Sequence, residues 1–135
     1  MKIQLDTNVI LDTLLEREPY NKHSDQIFKL AATDDIVGHF NASSITDIYF
    51  IARKKLTDAE SRKKIRIIMN LFEVIEVTEG DCLKALDSIM PDFEDALVTV
   101  CADKVNIDYI ITRDNEFLKL PKAISPDKFL KKFNP

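Results

Sequence analysis

Residues 2–11 read Lys2-Ile3-Gln4-Leu5-Asp6-Thr7-Asn8-Val9-Ile10-Leu11. Apolar residues alternate at Ile3 and Leu5, which is the period of a β-strand. From Asp6 onward the apolar residues follow a helical spacing, at positions 9, 10, 11, 14 and 15. The stretch therefore predicts a strand that passes into a helix at an aspartate.

An aspartate at such a junction has two roles open to it. In an open α/β sheet, ligands bind beyond the carboxyl ends of the strands, and Asp6 falls at that point. Aspartate also suits the N-cap of a helix, where its carboxylate accepts a hydrogen bond from an amide of the first turn. The positions of the other acids along the chain bear on the choice between these two roles.

The composition is that of one globular domain. The chain has 135 residues, of which 45% are hydrophobic, so a single core is expected without a stabilising disulfide framework. It contains only 2 glycines, which argues against a glycine-rich β architecture. We expect one domain spanning residues 1–135.

Charge and cysteine content limit the partners and the compartment. The net charge is -4, which excludes a surface that is basic all round, so any contact with nucleic acid must be local. The 2 cysteines fit free thiols in a reducing compartment. Asp6 and Asp12 interrupt what would be a secretory signal, and apolar runs such as the one that contains residues 49–52 fall far short of the ~20 residues that span a bilayer. We expect a cytoplasmic protein without a membrane partner.

Strand patterns recur along the chain and alternate with helical ones. Further strands are predicted at residues 36–40, 72–77, 109–112 and 123–125. Amphipathic helical patterns separate the strands, the clearest of them at residues 58–71, and a short helix is predicted at residues 116–120. Such alternation predicts a three-layer α/β/α fold with a central, mostly parallel sheet.

Four aspartates fall where such a fold places its ligands. Asp6 and Asp114 follow predicted strands, whereas Asp47 and Asp95 lie in the first turns of predicted helices. These positions converge on one rim of the sheet. Carboxylates brought together repel one another, so the arrangement makes sense around a divalent cation, and oxygen ligands alone suit Mg²⁺ or Mn²⁺.

Helix capping is the alternative explanation for two of these acids. Asp95 stands three residues after Asp92, and Asp47 stands three residues after Ser44, as in a capping box. First-turn acids also gain from the helix dipole. Weaker candidates, which solvated helical faces explain, are Asp12, Asp92 and Asp103.

Taken together, four motifs resemble a known family. They are Asp6-Thr7-Asn8, Ser44-x-x-Asp47, Asp92-Phe93-Glu94-Asp95-Ala96-Leu97 and Thr112-Arg113-Asp114. In this order, over essentially the whole chain, they resemble a PIN domain, the nuclease fold of VapC-type toxins. The resemblance implies a hydrolase, a Mg²⁺- or Mn²⁺-dependent endoribonuclease whose catalytic and metal-binding acids are Asp6, Asp47, Asp95 and Asp114.

The resemblance also implies supporting residues and partners. Thr7, Asn8 and Thr112 match polar positions that support the acids or the phosphate. The position of Asp47 is most often glutamate in the family, and the shorter side chain leaves open whether Asp47 contacts the metal directly or through water. A toxin of this type is expected to cleave RNA and to bind a small antitoxin protein, and PIN proteins of this size often form homodimers.

One dense basic segment is a candidate for contact with RNA. Its cations are Arg53, Lys54, Lys55, Arg62, Lys63, Lys64 and Arg66. They would guide RNA phosphates toward acids that otherwise repel them. Solvated helix faces account for the same charges.

Competing enzyme classes fit the sequence less well. A haloacid-dehalogenase-like phosphatase expects a second acid two residues after Asp6, where this chain has Asn8. A response-regulator receiver expects paired acids after its first strand, and these are missing here. The remaining alternative is a catalytically inactive PIN-like module that binds RNA or protein. RNA cleavage that EDTA abolishes would separate the enzyme from the module.

Overall fold

The computed structural model describes residues 1–134 and begins with the predicted junction. Strand β1, Lys2–Leu5, passes through Asp6 into helix α1, Thr7–Leu14. The other strands are β2 Val37–Asn41, β3 Glu73–Ile75, β4 Tyr109–Ile111 and β5 Ala123–Ile124. The other helices are α2 Asn21–Ala32, α3 Ser44–Ala52, α4 Asp58–Leu71, α5 Glu79–Leu86, α6 Phe93–Lys104 and α7 Pro126–Phe133, with a 3-10 helix at Phe117–Lys119. Among the residues described, no helix combines the length and apolarity needed to cross a membrane.

The sheet has the strand order β3-β2-β1-β4-β5, and each of these pairings is parallel. The chain adds β2 and β3 on one side of β1 and then returns to add β4 and β5 on the other side. The order therefore reverses between β1 and β4, which is where open α/β sheets bind ligands. The prediction of a mostly parallel sheet is confirmed.

Two hydrophobic cores cover the two faces of the sheet. On one face Ile3, Leu5 and Ile111 pack with side chains of α1, α2, α3, α4 and α7. On the other face Ile75 and Ile110 pack with α5, α6 and the 3-10 helix. Ile110 and Ile111 are neighbours in β4 and enter opposite cores, as the pleat of a strand requires. This confirms the three-layer α/β/α architecture.

Local signals account for the elements that were predicted and for one that was missed. Helix α4 has the predicted bounds, because Thr57 and Glu60 form a capping box at its start. Strand β3 is shorter than the predicted residues 72–77, since Phe72 ends α4 and its ring packs in the core. Helix α7 was not predicted, although Ser125 followed by Pro126 at the first helical position is a start signal.

The expectation that Asp12 lies on a solvated helical face is wrong. Its side chain is fully buried and accepts hydrogen bonds from Arg113 Nε at 2.6 Å and Arg113 Nη2 at 2.9 Å. Arg17 Nη1 lies 3.8 Å from the same carboxylate. A buried charge is tolerated only when it is paired, and here the main partner is distant in the sequence. The pair ties α1 to the loop that follows β4.

Close packing at Gly38 generates a stability prediction. A Cβ atom there would lie 2.4 Å from Phe72 Cδ1, and the Phe72 ring is held edge-on by Phe28 and Phe40. Because the ring has no room to move, Gly38→Ala should destabilise the protein by about 1–3 kcal/mol, measured by urea denaturation. Gly80→Ala is the control. Its nearest contact would be Thr78 Oγ1 at 3.7 Å, so it should stabilise by about 0.4–1 kcal/mol. Wild-type stability for Gly38→Ala would contradict the packing argument.

Candidate functional site

The pairing of β1 with β4 positions Asp6. Leu5 lies opposite Ile111 in the sheet, and the Asp6 amide donates to the Ile111 carbonyl at 3.0 Å. Asp6 Oδ1 accepts from the Thr7 amide at 2.8 Å, which confirms the predicted N-cap, and Asp6 Oδ2 accepts from Thr112 Oγ1 at 2.7 Å. Both carboxylate oxygens are therefore held in place.

The Thr112 hydroxyl also positions Asp114. While it donates to Asp6, it accepts a hydrogen bond from the Asp114 amide at 3.0 Å. Asp114 Oδ1 in turn accepts from the Glu116 amide at 2.9 Å. One buried hydroxyl thus links the two acids that follow the two central strands.

The start of α6 brings a third acid to the same place. Asp92 Oδ1 accepts from the Asp95 amide at 2.9 Å, so Asp92 caps the helix. No side-chain bond returns from Asp95 to the Asp92 backbone within residues 1–134, so the expected capping box is incomplete. The Asp95 side chain instead lines a cavity of about 260 Å³, called here the acid cavity. The acid cavity is lined by Asp6, Thr7, Asn8, Leu11, Arg17, Ile51, Asp92, Glu94, Asp95 and Asp114.

The carboxylates of the acid cavity perturb one another. Burial raises the pKa of Asp95 to about 7, with further contributions from the charges of Asp92, Asp114, Asp6 and Glu94. Burial also raises the pKa of Asp6, although the hydrogen bonds from Thr112 and Thr7 oppose it. Arg17 is the single cationic side chain in the described lining. The cavity therefore carries an excess of negative charge.

The chemistry of the lining fits a hard cation. Besides the carboxylates, Thr7 Oγ1 and Asn8 Oδ1 are buried oxygens without a hydrogen-bond partner in the part of the chain described. Carboxylate, hydroxyl and amide oxygens are the donors that Mg²⁺ and Mn²⁺ prefer. Within residues 1–134, however, no three His, Cys, Asp or Glu side chains form a group that holds a metal ion as they stand. The types of donor therefore fit a hard cation, although the described side chains are not arranged as a set of ligands.

Asp47 lies outside the acid cavity. It is exposed on α3, which begins at Ser44 itself. The N-cap position belongs to Ser43, which makes no side-chain cap bond, so Ser44 and Asp47 do not form the expected capping box. Its charge still contributes to raising the pKa of Glu94, behind the larger effect of burial. Glu94 lines the cavity, and the prediction of site residues did not include it. Its only signal was its place between two acids at a helix start.

The basic segment begins just after the end of α3 and continues into α4. Its side chains are exposed apart from Lys64, which is half-buried. Some are already engaged, since Arg62 Nε lies 3.0 Å from Asp58 Oδ2 and Arg53 Nη1 donates to the Leu56 carbonyl at 3.0 Å. Ile51, two residues before Arg53, lines the acid cavity. The start of the basic segment therefore follows closely, along the chain, a residue of the cavity lining.

Known proteins similar to this chain include PIN-domain proteins and VapC toxins. The family model for the PIN domain matches residues 2–116. Ribonuclease VapC1 of Aquifex aeolicus (strain VF5) is 24% identical over 139 residues, covering 98% of this chain and 96% of its own. A toxin-antitoxin complex from Klebsiella pneumoniae superimposes with a TM-score of 0.68 at 16% identity, covering 92% of this chain and 97% of that chain. The sarcin-ricin loop cleaving toxin VapC20 of Mycobacterium tuberculosis superimposes with a TM-score of 0.68 at 14% identity, covering 87% of this chain and 93% of that chain.

The raised pKa of Asp95 predicts a pH-dependent stability. Because the folded protein holds this proton more tightly than the unfolded chain does, its contribution is present at low pH and is lost as the pH rises toward 7. In EDTA, Asp95→Asn should therefore be more stable than the wild type near about pH 8, and the difference should vanish near about pH 4. Thermal melts across this range measure it.

The control is Asp103→Asn on the same helix. Asp103 is exposed and lies 3.2 Å from Lys122 Nζ, outside the acid cavity. Removing its charge should give no gain at high pH. A gain for Asp95→Asn that is the same at every pH would show that ionisation of the buried Asp95 carboxylate is not its cause.

Proposed function

Since the chain belongs to the PIN domain family, whose model matches residues 2–116, we propose that it is a Mg²⁺- or Mn²⁺-dependent endoribonuclease of the VapC type. The substrate is RNA, and the reaction is hydrolysis of a phosphodiester bond. The relative from Aquifex aeolicus, which aligns over 98% of this chain, carries the name ribonuclease and supports the activity.

One observation carries the proposal, namely the acid cavity at the reversal of the strand order. Asp6, Asp95 and Asp114 come from three separate parts of the chain and line one cavity. Burial and the surrounding acids raise the pKa of Asp95 to about 7, and a structure tolerates such crowding when a cation compensates for it. Perturbed carboxylates in a cleft are typical of functional sites.

Three aspartates of the acid cavity would bind the cation. Asp6 and Asp114, fixed through the Thr112 hydroxyl, would hold the cation together with Asp95. Asp95 must be deprotonated to act as a ligand, and its pKa of about 7 makes metal binding sensitive to pH near neutrality. The chemistry that a bound divalent cation supplies is a lowered pKa of water and neutralisation of phosphate charge. Thr7 and Asn8 offer further oxygens to a ligand of the cavity.

For Asp47 we propose an indirect role. Its exposed carboxylate lies outside the lining of the acid cavity, whereas Glu94 lies inside and is electrostatically coupled to it. Glu94 therefore supplies the longer acidic side chain on this side of the cavity. Asp47 would act through Glu94 or through an intervening water.

Protein partners are part of the proposal. The relative from Klebsiella pneumoniae is a toxin-antitoxin complex, which supports an antitoxin for this chain as well. An apolar groove of about 500 Å³ between α3 and α4, with Ile45, Tyr49 and Met69 in its walls, offers a protein partner a surface. Leu83, Leu86 and Ile89 are each more than half exposed, which favours self-association through a second surface.

Cleavage and metal binding should fail together in Asp95→Asn. The wild type should cleave single-stranded RNA in Mg²⁺ and lose the activity in EDTA, whereas the variant should be inactive. Mg²⁺ at ~100 times its dissociation constant should stabilise the folded wild type by about 2.7 kcal/mol, and the variant by much less. Asp103→Asn serves as the active control. A variant that responds to Mg²⁺ like the wild type would remove Asp95 from the metal site.

The same assay separates the enzyme from a non-catalytic module. An inactive PIN-like module would bind RNA or protein without any cleavage in Mg²⁺ or Mn²⁺. Cleavage that survives EDTA would contradict the proposed metal dependence.

Binding of RNA should depend on the basic segment. Reversing the charge of Lys54, Lys55, Lys63 and Lys64 should weaken binding and flatten its salt dependence, by roughly one unit of log-log slope for each phosphate that the protein no longer neutralises. The matched control reverses four exposed lysines elsewhere, namely Lys29, Lys84, Lys128 and Lys131. An equal effect of both sets on the slope would assign the segment to an ordinary solvated face.

A further inference from the structure

A second cavity, called here the side cavity, lies on the other side of the loop after β4. Its volume is about 610 Å³, and it shares none of its lining residues with the acid cavity. Its walls come from the start of α2, the loop at residues 113–115 and the start of α7. Within that loop Asp114 lines the acid cavity, while Arg113 and Asn115 line the side cavity. A single loop therefore separates the two.

Arg113 presents a fixed guanidinium to the side cavity. Its Nε and Nη2 donate to the fully buried Asp12, which holds the plane of the group. Nη1 has no hydrogen-bond partner within residues 1–134, and the side chain remains 26% exposed. A guanidinium has five donors, so most remain open to a ligand. A planar, pre-oriented fork of this kind suits a phosphate oxygen. Lys22 adds a second cation to the lining.

Tyr20 provides an aromatic surface next to this cation. The guanidinium carbon of Arg113 lies 3.8 Å from the centre of the Tyr20 ring, which fixes the ring from one side. The residue is still 47% exposed and lines the side cavity. Aromatic rings in this setting stack on nucleobases with little preference for sequence.

The remaining polar groups of the side cavity suit the edge of a base. Asn115 offers both a donor and an acceptor. The carboxylate of Asp127 also lines the cavity, and it accepts from Ser125 Oγ at 2.6 Å. A bare phosphate would gain nothing from an aromatic ring and would be repelled by a carboxylate. A nucleotide, with a phosphate, a flat base and polar base edges, uses all of these groups.

We infer that the side cavity binds a nucleotide of the RNA strand beside the phosphodiester that is cleaved. The base stacks on Tyr20, and its phosphate contacts Arg113 and Lys22. This inference rests on the proposed function, since the strand is the RNA that the acid cavity would cleave. Asp114 of the acid cavity adjoins Arg113 of the side cavity, and consecutive Cα atoms are only about 3.8 Å apart. A strand in the acid cavity can therefore reach the side cavity by crossing this loop.

The test measures binding of a fluorescently labelled single-stranded RNA to the full chain in EDTA, where cleavage is absent. Tyr20→Ala should weaken binding roughly tenfold, which is the loss expected when one base no longer has its stacking partner. Tyr20→Phe keeps the ring and should bind more tightly than Tyr20→Ala. Phe93→Ala is the matched control, because Phe93 is 46% exposed and lines neither cavity, and it should lose less than Tyr20→Ala.

Crosslinking identifies the position directly. RNA that carries 4-thiouridine should, on irradiation, attach to peptides that contain Tyr20 or His23, another residue of the lining. Thermal melts of each variant verify that it is folded.

Three results would overturn the inference. One is a folded Tyr20→Ala that binds RNA as the wild type or Phe93→Ala does, and another is a set of crosslinks confined to α3 and α4. Wild-type protein that fails to bind RNA both in EDTA and in Mg²⁺ would also overturn it. Binding in EDTA with the expected Tyr20 effect, but without cleavage in Mg²⁺, would refute the nuclease and leave the nucleotide site in place.

Discussion

The parallel pairing of β1 with β4 determines where the functional groups of this protein lie. The chain leaves the two strands at Asp6 and at Thr112, and the register of Leu5 against Ile111 sets these residues side by side. Side chains alternate across a strand, so a slip of one residue would send the acids to the wrong face. The buried isoleucines and leucines of both cores make such a slip costly. Hydrophobic packing thus determines the geometry of a strongly polar site.

The acid cavity opposes the stability that the cores provide. Several carboxylates share a small, partly desolvated space, and the pKa of Asp95 is raised to about 7 as a result. Neighbouring hydrogen-bond donors and one cation reduce the loss of stability that the buried carboxylates cause. The Thr112 hydroxyl and the Thr7 amide hydrogen-bond to Asp6, and Arg17 places one cation in the lining. A site that was optimised for the metal-free fold alone would carry fewer charges.

Local patterns predicted the architecture and the convergence of Asp6, Asp95 and Asp114 on one cavity, because these patterns are properties of short segments. The switch of period at Asp6, the capping signals of α4 and the apolar run of β4 can each be read from about a dozen residues. The burial of Asp12 was missed because its partner, Arg113, is 101 positions away. The placement of Asp47 outside the cavity was missed for a related reason. It depends on how α3 packs against the rest of the fold, and no periodicity in α3 itself reports that.

The loop at residues 113–115 separates the two cavities and contributes to both. Asp114 lines the cavity in which we propose that cleavage takes place, whereas Arg113 and Asn115 line the other cavity. Apart from Arg113, which pairs with the buried Asp12, residues of the side cavity such as Tyr20 and Asn115 can change without altering the lining of the acid cavity. In a lineage of such proteins, the residues of the side cavity would be able to change while the acid cavity stays intact. The same separation gives a protein engineer a place to alter the proposed contact with RNA while leaving the acid cavity untouched.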